Sequence, residues 1–362
     1  MLKRTVRKLQ QLFQTAKFCS KIAPVCSVKY FNAFLRATRL CHKNRFQPEE
    51  AFHFGLFNPD LPESELSKCV SRRNLTKIQE ARNPVSWAPL LKDKSIFYRY
   101  CMASGIPIPK LYAIFFRKTA GWSYDGSFLR NRDDWKRFFN GHLPAEFVIK
   151  PAQGSVGSGV KIFCKTEDGF ADTFGESYTS EQIYNTMFSN SAYDSFVIQE
   201  CLKNHPELVR LSNTRFLQTV RIITFIDKNN QFHILHAMLK VIACQSVTDN
   251  IDLGRTGNIS AEISLGDGVL KPAVGINPNG SGIRTILNHP KTGLSFDQFK
   301  LPLWNQARRL VEETAPRFLP LRTIGWDVAL TPNGPLILEG NIWWDAPNQY
   351  RCMDIFLDKL SR

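Results

Sequence analysis

The sequence predicts an α+β protein of antiparallel strand pairs with helices between them, and three observations predict it. Ile324–Leu330 and Leu336–Asn341 are apolar runs joined by Thr331-Pro332-Asn333-Gly334-Pro335, turn chemistry that makes them adjacent antiparallel strands. Gln218–Ile226 and Phe232–Ile242 read as a second hairpin across Asp227–Asn230. Helical patterns at Lys94–Ala103, Glu181–Phe188 and Trp304–Phe318 lie among the strands.

In chain order, residues 1–45 carry eleven Lys or Arg and no acid, and hold most of the excess behind a net charge of +15. Val6, Leu9, Leu12 and Phe13, then Phe31, Phe34 and Leu35, recur at helical spacing among those cations, so this arm forms one or two basic amphipathic helices. Two readings of it stand: a helix lying on an anionic membrane surface, or one packed on the body with its lysines solvated. Residues 46–90 form a helical and loop region. Asn58-Pro59-Asp60 and Leu61-Pro62 are loop signals, a short helix runs from Glu63 to Gln79, and Asn83-Pro84 and Ala88-Pro89 mark a connection. Beyond Leu91 come the helix Lys94–Ala103, an extended Ile106-Pro107-Ile108-Pro109 and the strand Leu111–Phe116. Phe147–Lys150 and Val160–Phe163 are strands flanking a glycine loop, and Phe196–Gln199 is another strand. Residues 250–295, rich in Gly, Asn, Ser and Thr, read as mobile loops rather than a packed layer. Trp304–Phe318 is the last amphipathic helix before the final hairpin.

Composition narrows the class. An apolar content of 43%, with 12% aromatics, supports a real core. Nine cysteines, none in a CxxC pair or at zinc-finger spacing, read as free buried thiols, for which a reducing cytoplasm is the expected setting. No run reaches 18 consecutive apolar residues and no secretory signal opens the chain, so a membrane span is not expected; contact with the inner membrane face through residues 1–45 is the peripheral alternative. No aromatic and basic residues interleave on a strand pattern, and no nucleic-acid partner is expected.

The final hairpin carries the strongest chemical signal. With the turn centred at residue 333, Asp327 pairs with Glu339. Period-two alternation then puts Asp327, Glu339 and Asn341 on one face and Val328, Leu336 and Leu338 on the other. Opposed like charges repel, and a hard divalent cation held by carboxylate and amide oxygens removes that penalty. Two acids splayed into solvent at a strand end are the plain alternative. Further upstream, Lys150 ends a strand and is followed by Gln153, Gly154, Ser155, Gly157, Ser158 and Gly159. Glycines let backbone N–H groups approach phosphate oxygens, and the lysine adds a charge at fixed reach. The order of residues is neither Walker A nor Rossmann, and the alternative is a glycine-rich hairpin turn. Gln199-Glu200-Cys201-Leu202 closes a strand about fifty residues later, with Glu207 beyond it; these residues could meet adenine and ribose. Thr219-Val220-Arg221-Ile222-Ile223-Thr224 places an arginine on the polar face of a strand, a candidate phosphate clamp.

Asp93-Lys94, Lys150 with its glycine loop, Gln199-Glu200, Thr219-Val220-Arg221 and the Asp327, Glu339-Gly340-Asn341 ending follow one another in ATP-grasp order, and the chain resembles that superfamily. Gly325-Trp326-Asp327-Val328-Ala329, Glu339-Gly340-Asn341, Asn213-Thr214 and His289-Pro290-Lys291-Thr292-Gly293 resemble more narrowly the sugar-transfer-associated ATP-grasp family, related to the alpha-L-glutamate ligases, over residues 46–350. The resemblance implies an ATP-grasp fold, in which two α+β subdomains, residues 91–200 and 201–350, grip ATP between antiparallel sheets, and the N-terminal region completes an acceptor site. Lys94 and Lys150 would contact phosphates under the glycine loop, and Glu200, Leu202 and Glu207 would hold adenosine. Arg221, helped by Lys240, would steady the transferred phosphate, while Asp327, Glu339 and Asn341 would bind one or two Mg2+ or Mn2+ ions. Arg255, Asn258, Arg284 and His289 are candidate acceptor contacts; His233 and His236 read as structural. The implied reaction is ATP- and Mg2+-dependent activation of a carboxylate as an acylphosphate for attack by an amine, in surface polysaccharide or sugar-conjugate biosynthesis. The alternatives are phosphoryl transfer to a hydroxyl, or a membrane-docked scaffold that binds nucleotide without turnover.

Overall fold

Successive side chains along a strand point to opposite faces, so each sheet of this chain acquires one face for a core and one for a cleft. The computed structural model describes residues 2–154 and 157–346. The first sheet holds β1 (Leu111–Phe116), β2 (Gly121–Ser123), β3 (Phe128–Leu129), β4 (Glu146–Pro151), β5 (Lys161–Thr166), β6 (Gly169–Asp172), β7 (Ser177–Tyr178) and β8 (Ser195–Glu200). The second holds β9 (Thr219–Ile226), β10 (Phe232–Val241), β11 (Ile259–Ile263), β12 (Leu270–Ile276), β13 (Ile283–Ile286), β14 (Thr323–Thr331) and β15 (Gly334–Asn341). Their orders are β3-β2-β1-β8-β4-β5-β6-β7 and β13-β12-β11-β10-β9-β14-β15, with every pairing antiparallel. Two antiparallel sheets with helices are the α+β architecture expected.

In the first sheet Phe147, Ile149, Phe196 and Ile198 pack with Trp135, Phe138, Phe139, Ile183 and Met187 of the helices Arg132–His142 and Ser180–Phe188. Asn131 and Thr179 cap those two helices with side-chain hydrogen bonds. The alternate residues Val148, Lys150 and Gln199 therefore face the other way, into the space between the sheets. In the second sheet Val220, Ile222, Leu239, Val241, Val328 and Leu330 join one core with Ala307 and Val311 of the helix Trp304–Thr314. The opposite face carries Arg221, Lys240 and Asp327, and further along Ile223 and Phe225, which Leu75 of the helix Arg72–Glu80 covers.

The first helices form a module with a core of its own. Cys19, Ile22 and Ala23 from Leu2–Val25 and Ala33, Ala37 and Leu40 from Tyr30–Arg39 and the turn after it pack with Phe46, Ala51, Leu56, Phe57 and Leu66. One core thus joins residues on both sides of position 45. The module is tied to the body by Gly282 N–H, which donates to the Phe52 and His53 carbonyls, and by a contact of 3.1 Å between His53 Nδ1 and the Gly280 carbonyl.

Three expectations need correction. The helix read across Glu63–Gln79 is two, Glu63–Lys68 and Arg72–Glu80, because Ser71 leaves the helical conformation and caps the second through the Asn74 N–H. Residues 250–295 are not loops alone: β11, β12 and β13 extend the second sheet there. Short strands between glycine turns leave a polar, small-residue composition, and the β11–β12 ladder shifts register between Ala261 and Ile263. In the last hairpin Asp327 does pair with Glu339, but a bulge follows and Val328 pairs with Ile337. The extra residue shifts the alternation by one, so Ile337 joins the core while Leu338 lines the cleft beside Glu339. Among the described residues, no helix is long and apolar enough to cross a membrane, and the eight described cysteines are free.

Candidate functional site

Between the sheets lies a cavity of about 570 Å³. One wall is the first sheet with its glycine loop, and the other is the polar face of the second sheet. The cavity's apolar lining comes from Val148, Val160, Ile162, Cys201, Leu202 and Leu338, chemistry suited to a planar base. Gln199 also lines the cavity, buried, with its Oε1 lacking a hydrogen-bond partner in the protein.

Cations gather next to it. Lys150 is buried, and its Nζ donates to the Tyr98 hydroxyl at 3.0 Å, while that hydroxyl donates to the Leu338 carbonyl at 2.9 Å. Burial first, then the charge of Lys94, pushes the Lys150 ammonium down to about 7, against the pull of Glu339 and Asp327. Lys94 opens the helix Lys94–Ala103, which Asp93 caps through the Ser95 and Ile96 N–H groups. Its Nζ reaches the Gly154 carbonyl at 3.2 Å and the Glu339 carboxylate at 3.4 Å. The lysine therefore bridges the glycine loop and the last hairpin across the cleft.

The second wall is a buried charge network. Asp327, 2% exposed, takes both arms of Arg221, Nε at 2.6 Å and a terminal nitrogen at 3.1 Å, because the two residues are register partners on β14 and β9. Lys240 on β10 adds a contact of 3.2 Å to Asp327 and another of 3.3 Å to Asp249. Burial alone would raise the Asp327 carboxyl, but Arg221 and Lys240 hold it far below the ordinary range. Asp249 is raised, by burial first and then by the negative charge of Asp327, although it accepts from the Thr219 N–H at 2.7 Å and hydroxyl at 2.6 Å. Glu339 stands opposite Asp327, and the Asn341 amide donates to the Gly325 carbonyl at 3.2 Å, which leaves its oxygen as an acceptor. Glu339 and the Asn341 amide oxygen, with Asp327 beside them already held by Arg221 and Lys240, are the oxygen donors that the cleft offers to a hard divalent cation. Among the described residues no group of three His, Cys, Asp or Glu stands together as a self-sufficient metal site. Between Glu339 and Asn341, position 340 has room only for glycine, since a Cβ there would sit 2.8 Å from Leu91 and 3.2 Å from Trp326.

Of the residues singled out from sequence, the cleft brings together Lys94, Lys150, Gly154, Gly157, Ser158, Gln199, Glu200, Cys201, Leu202, Arg221, Lys240, Asp327, Glu339 and Asn341. Ser155 lies outside the described residues. Gln153 instead donates to Asp93 at 2.8 Å, and Gly159 packs on Pro151. Glu207 does not line the cavity and pairs with Arg210 one helical turn on, at 2.7 Å. The Glu200 carboxylate accepts from the Lys110 N–H at 3.1 Å. The acceptor contacts proposed downstream do not line the cavity. Arg255 pairs with Asp252, Arg284 is exposed on edge strand β13, and His289 is buried against the Ile242 carbonyl at 3.2 Å. Asn258 acts at one remove, donating to the Thr248 and Asn250 carbonyls, both at 2.8 Å, and so shaping a loop that does line the cleft. His236 is buried, and burial pushes its imidazole down to about 4; His233 pairs with Asp227 at 3.0 Å.

Sequence reasoning missed Tyr98 and Asp249. Tyr98 carried a signal, since it stands four residues after Lys94 on one helix face. Asp249 sits in a loop between strands, where no periodicity announces which acid will turn inward.

The model of the sugar-transfer associated ATP-grasp family matches residues 73–349. A search of curated proteins found no match. Among solved structures, the chain is similar to D-alanyl-alanine synthetase A from Vibrio cholerae, with 11% identity and a TM-score of 0.42 over 76% of this chain and 66% of that one. It is also similar to phosphoribosylamine–glycine ligase from Thermotoga maritima, with 15% identity and a TM-score of 0.39 over 72% of this chain and 50% of that one. A third is the biotin carboxylase domain of 2-oxoglutarate carboxylase from Hydrogenobacter thermophilus, solved with MgADP and bicarbonate, with 11% identity and a TM-score of 0.39 over 72% of this chain and 42% of that one. The chain thus spans 66% or less of the length of these three proteins.

Proposed function

Because this chain belongs to the sugar-transfer-associated ATP-grasp family, we propose that it is an ATP-dependent ligase that activates a carboxylate as an acylphosphate and passes the acyl group to an amine. The observation that carries this reading is the convergence of Lys94, Lys150, Arg221 and Lys240 with Asp327, Glu339 and Asn341 on one cleft between two sheets. The base would lie against Val148, Ile162, Leu202 and Leu338, with its phosphates towards the lysines. Lys150, held near neutrality by burial and by Lys94, takes up its proton fully when a triphosphate arrives, since an adjacent anion favours the charged form.

Asp327, Glu339 and Asn341 are the residues that would hold Mg2+, which supplies charge neutralisation for the phosphates. Arg221 and Lys240 then stand beside the transferred phosphoryl group. A substrate carboxylate oxygen attacks the γ-phosphorus and ADP leaves. The amine nitrogen next attacks the acyl carbon, inorganic phosphate departs, and the amine's extra proton goes to solvent. Such chemistry needs positioning and electrostatic stabilisation rather than a nucleophilic side chain, in keeping with a cleft rich in cations. The family description supports a sugar conjugate as the setting of the reaction, with surface polysaccharide biosynthesis the context expected.

The test is ADP and phosphate release with Mg2+ over pooled amino acids, sugar acids and amino sugars, with hydroxylamine as the trapping amine and Glu339→Gln alongside. A hydroxamate that needs ATP and one acid, and that vanishes in the variant, is the expected result. ADP formed on a hydroxyl acceptor without any hydroxamate would overturn the ligase reading in favour of a phosphotransferase.

A further inference from the structure

The N-terminal helices keep their small and apolar residues for the module's core, yet present a second apolar set to solvent. On Leu2–Val25 the core side is Thr15, Cys19, Ile22 and Ala23. Val6 and Phe13, two turns apart on the opposite side, are 47% and 72% exposed, and exposed Lys17 and Lys21 continue that stripe. On Tyr30–Arg39 the core side is Ala33 and Ala37, and Phe31 and Leu35, one turn apart on the far side, are 65% and 52% exposed. Exposed Lys29 precedes them. Packing does not require these apolar side chains, so their exposure is a cost that a partner removes.

Charge identifies the partner. Residues 1–45 carry eleven cations and no acid; among the described side chains there, Glu63 pairs with Arg39 at 2.8 Å and reaches Lys43 at 3.8 Å. A surface that is both anionic and able to take phenylalanine and leucine side chains into hydrocarbon matches both properties, whereas a phosphate backbone leaves the aromatics in water. We propose that the outward faces of the helices Leu2–Val25 and Tyr30–Arg39 dock on an anionic lipid bilayer, with Phe13, Phe31 and Leu35 inserted below the headgroups. The module is not a tethered arm. Its bonds to the turn at Gly280 and Gly282 join it to the body, so docking holds the whole protein at the surface.

The full chain is tested by co-sedimentation with vesicles of phosphatidylglycerol and phosphatidylcholine, against phosphatidylcholine alone, at low salt and at about 0.5 M NaCl. Two triple variants accompany it, Phe13→Ser/Phe31→Ser/Leu35→Ser and Lys17→Gln/Lys21→Gln/Lys29→Gln. All six positions are exposed, and circular dichroism confirms the fold. Binding is expected only to the anionic vesicles and released by salt, at least tenfold weaker in the apolar variant and weaker by about fivefold per removed charge in the other. Binding that neither variant changes, or none to anionic vesicles at low salt, overturns the proposal. So does tighter binding to duplex DNA, or a lipid-free dimer that the apolar variant dissociates. No nucleotide is present, so this outcome is independent of the ligase reading.

Discussion

Lys150→Met should stabilise the protein while abolishing its nucleotide binding. The ammonium of Lys150 is held at about 7 against an ordinary 10.5. Below pH 7 the side chain is charged in the folded and the unfolded chain alike, and the folded state carries the whole cost of burying it. The interval from 7 to 10.5, at about 1.4 kcal/mol per pH unit, corresponds to about 5 kcal/mol. Losing the hydrogen bond to Tyr98 takes back about 1–2 kcal/mol, so a net gain of about 3 kcal/mol is expected near pH 6. Between pH 7 and 10.5 the unfolded lysine holds a proton that the folded one has released. The parent therefore gains stability with rising pH, and the variant's advantage shrinks by about 1.4 kcal/mol per unit. Urea unfolding of both proteins at pH 6 and pH 9 reads that difference, since the titrations of groups remote from Lys150 are common to both. A variant less stable than the parent at pH 6, with a gap that pH does not move, would refute the reasoning. In the parent, MgATP affinity should fall as pH climbs above 7, and calorimetric titration follows it.

The other expectations rest on the same network. Arg221→Met leaves Asp327 buried with only Lys240 beside it, and should lower stability by about 3–5 kcal/mol, seen in thermal melts. Asp249→Asn keeps an oxygen for the Thr219 N–H and hydroxyl. Because burial raises the Asp249 carboxyl, its stabilising contribution is lost as pH climbs through the folded value, so the variant should melt at or above the parent at pH 8. Turnover should nevertheless fall by about 10–100-fold as Lys240 loses an anchor, and steady-state kinetics separate the two effects. Gly157→Ala meets both a φ of +70° and a Cβ position 2.9 Å from the Thr248 hydroxyl; nucleotide affinity should drop by about tenfold in fluorescence titrations, and Thr248→Ala in the same chain should restore part of it.

Much of the site was legible because its parts are local. A lysine at a strand end, glycines in the following loop and an acid–turn–acid hairpin each carry their spacing in the sequence, and the Asp327–Glu339 pairing followed from the turn alone. Resemblance added the family, and the family match over residues 73–349 bears that out. Less legible were features that depend on one residue of register or on neighbours far along the chain. The bulge after Asp327 turned Leu338 towards the cleft, β11–β13 formed from a stretch whose composition resembles loop, and Glu207 was taken by Arg210.

Alternation, turn residues and charge spacing by themselves determined that this chain makes antiparallel strands, puts Lys150, Arg221, Asp327 and Glu339 on polar faces, and begins with basic amphipathic helices. These are properties of neighbours in sequence, fixed by period and propensity. Only the tertiary structure decided that Arg221 and Asp327 are register partners, that Lys240 is shared between Asp327 and Asp249, and that Lys94 bridges the glycine loop to the last hairpin. The physical reason is desolvation. A buried charge must find its partner within a few ångströms, and which groups meet there is set by the stacking of two sheets, over separations of 87 and 106 residues that no local pattern encodes.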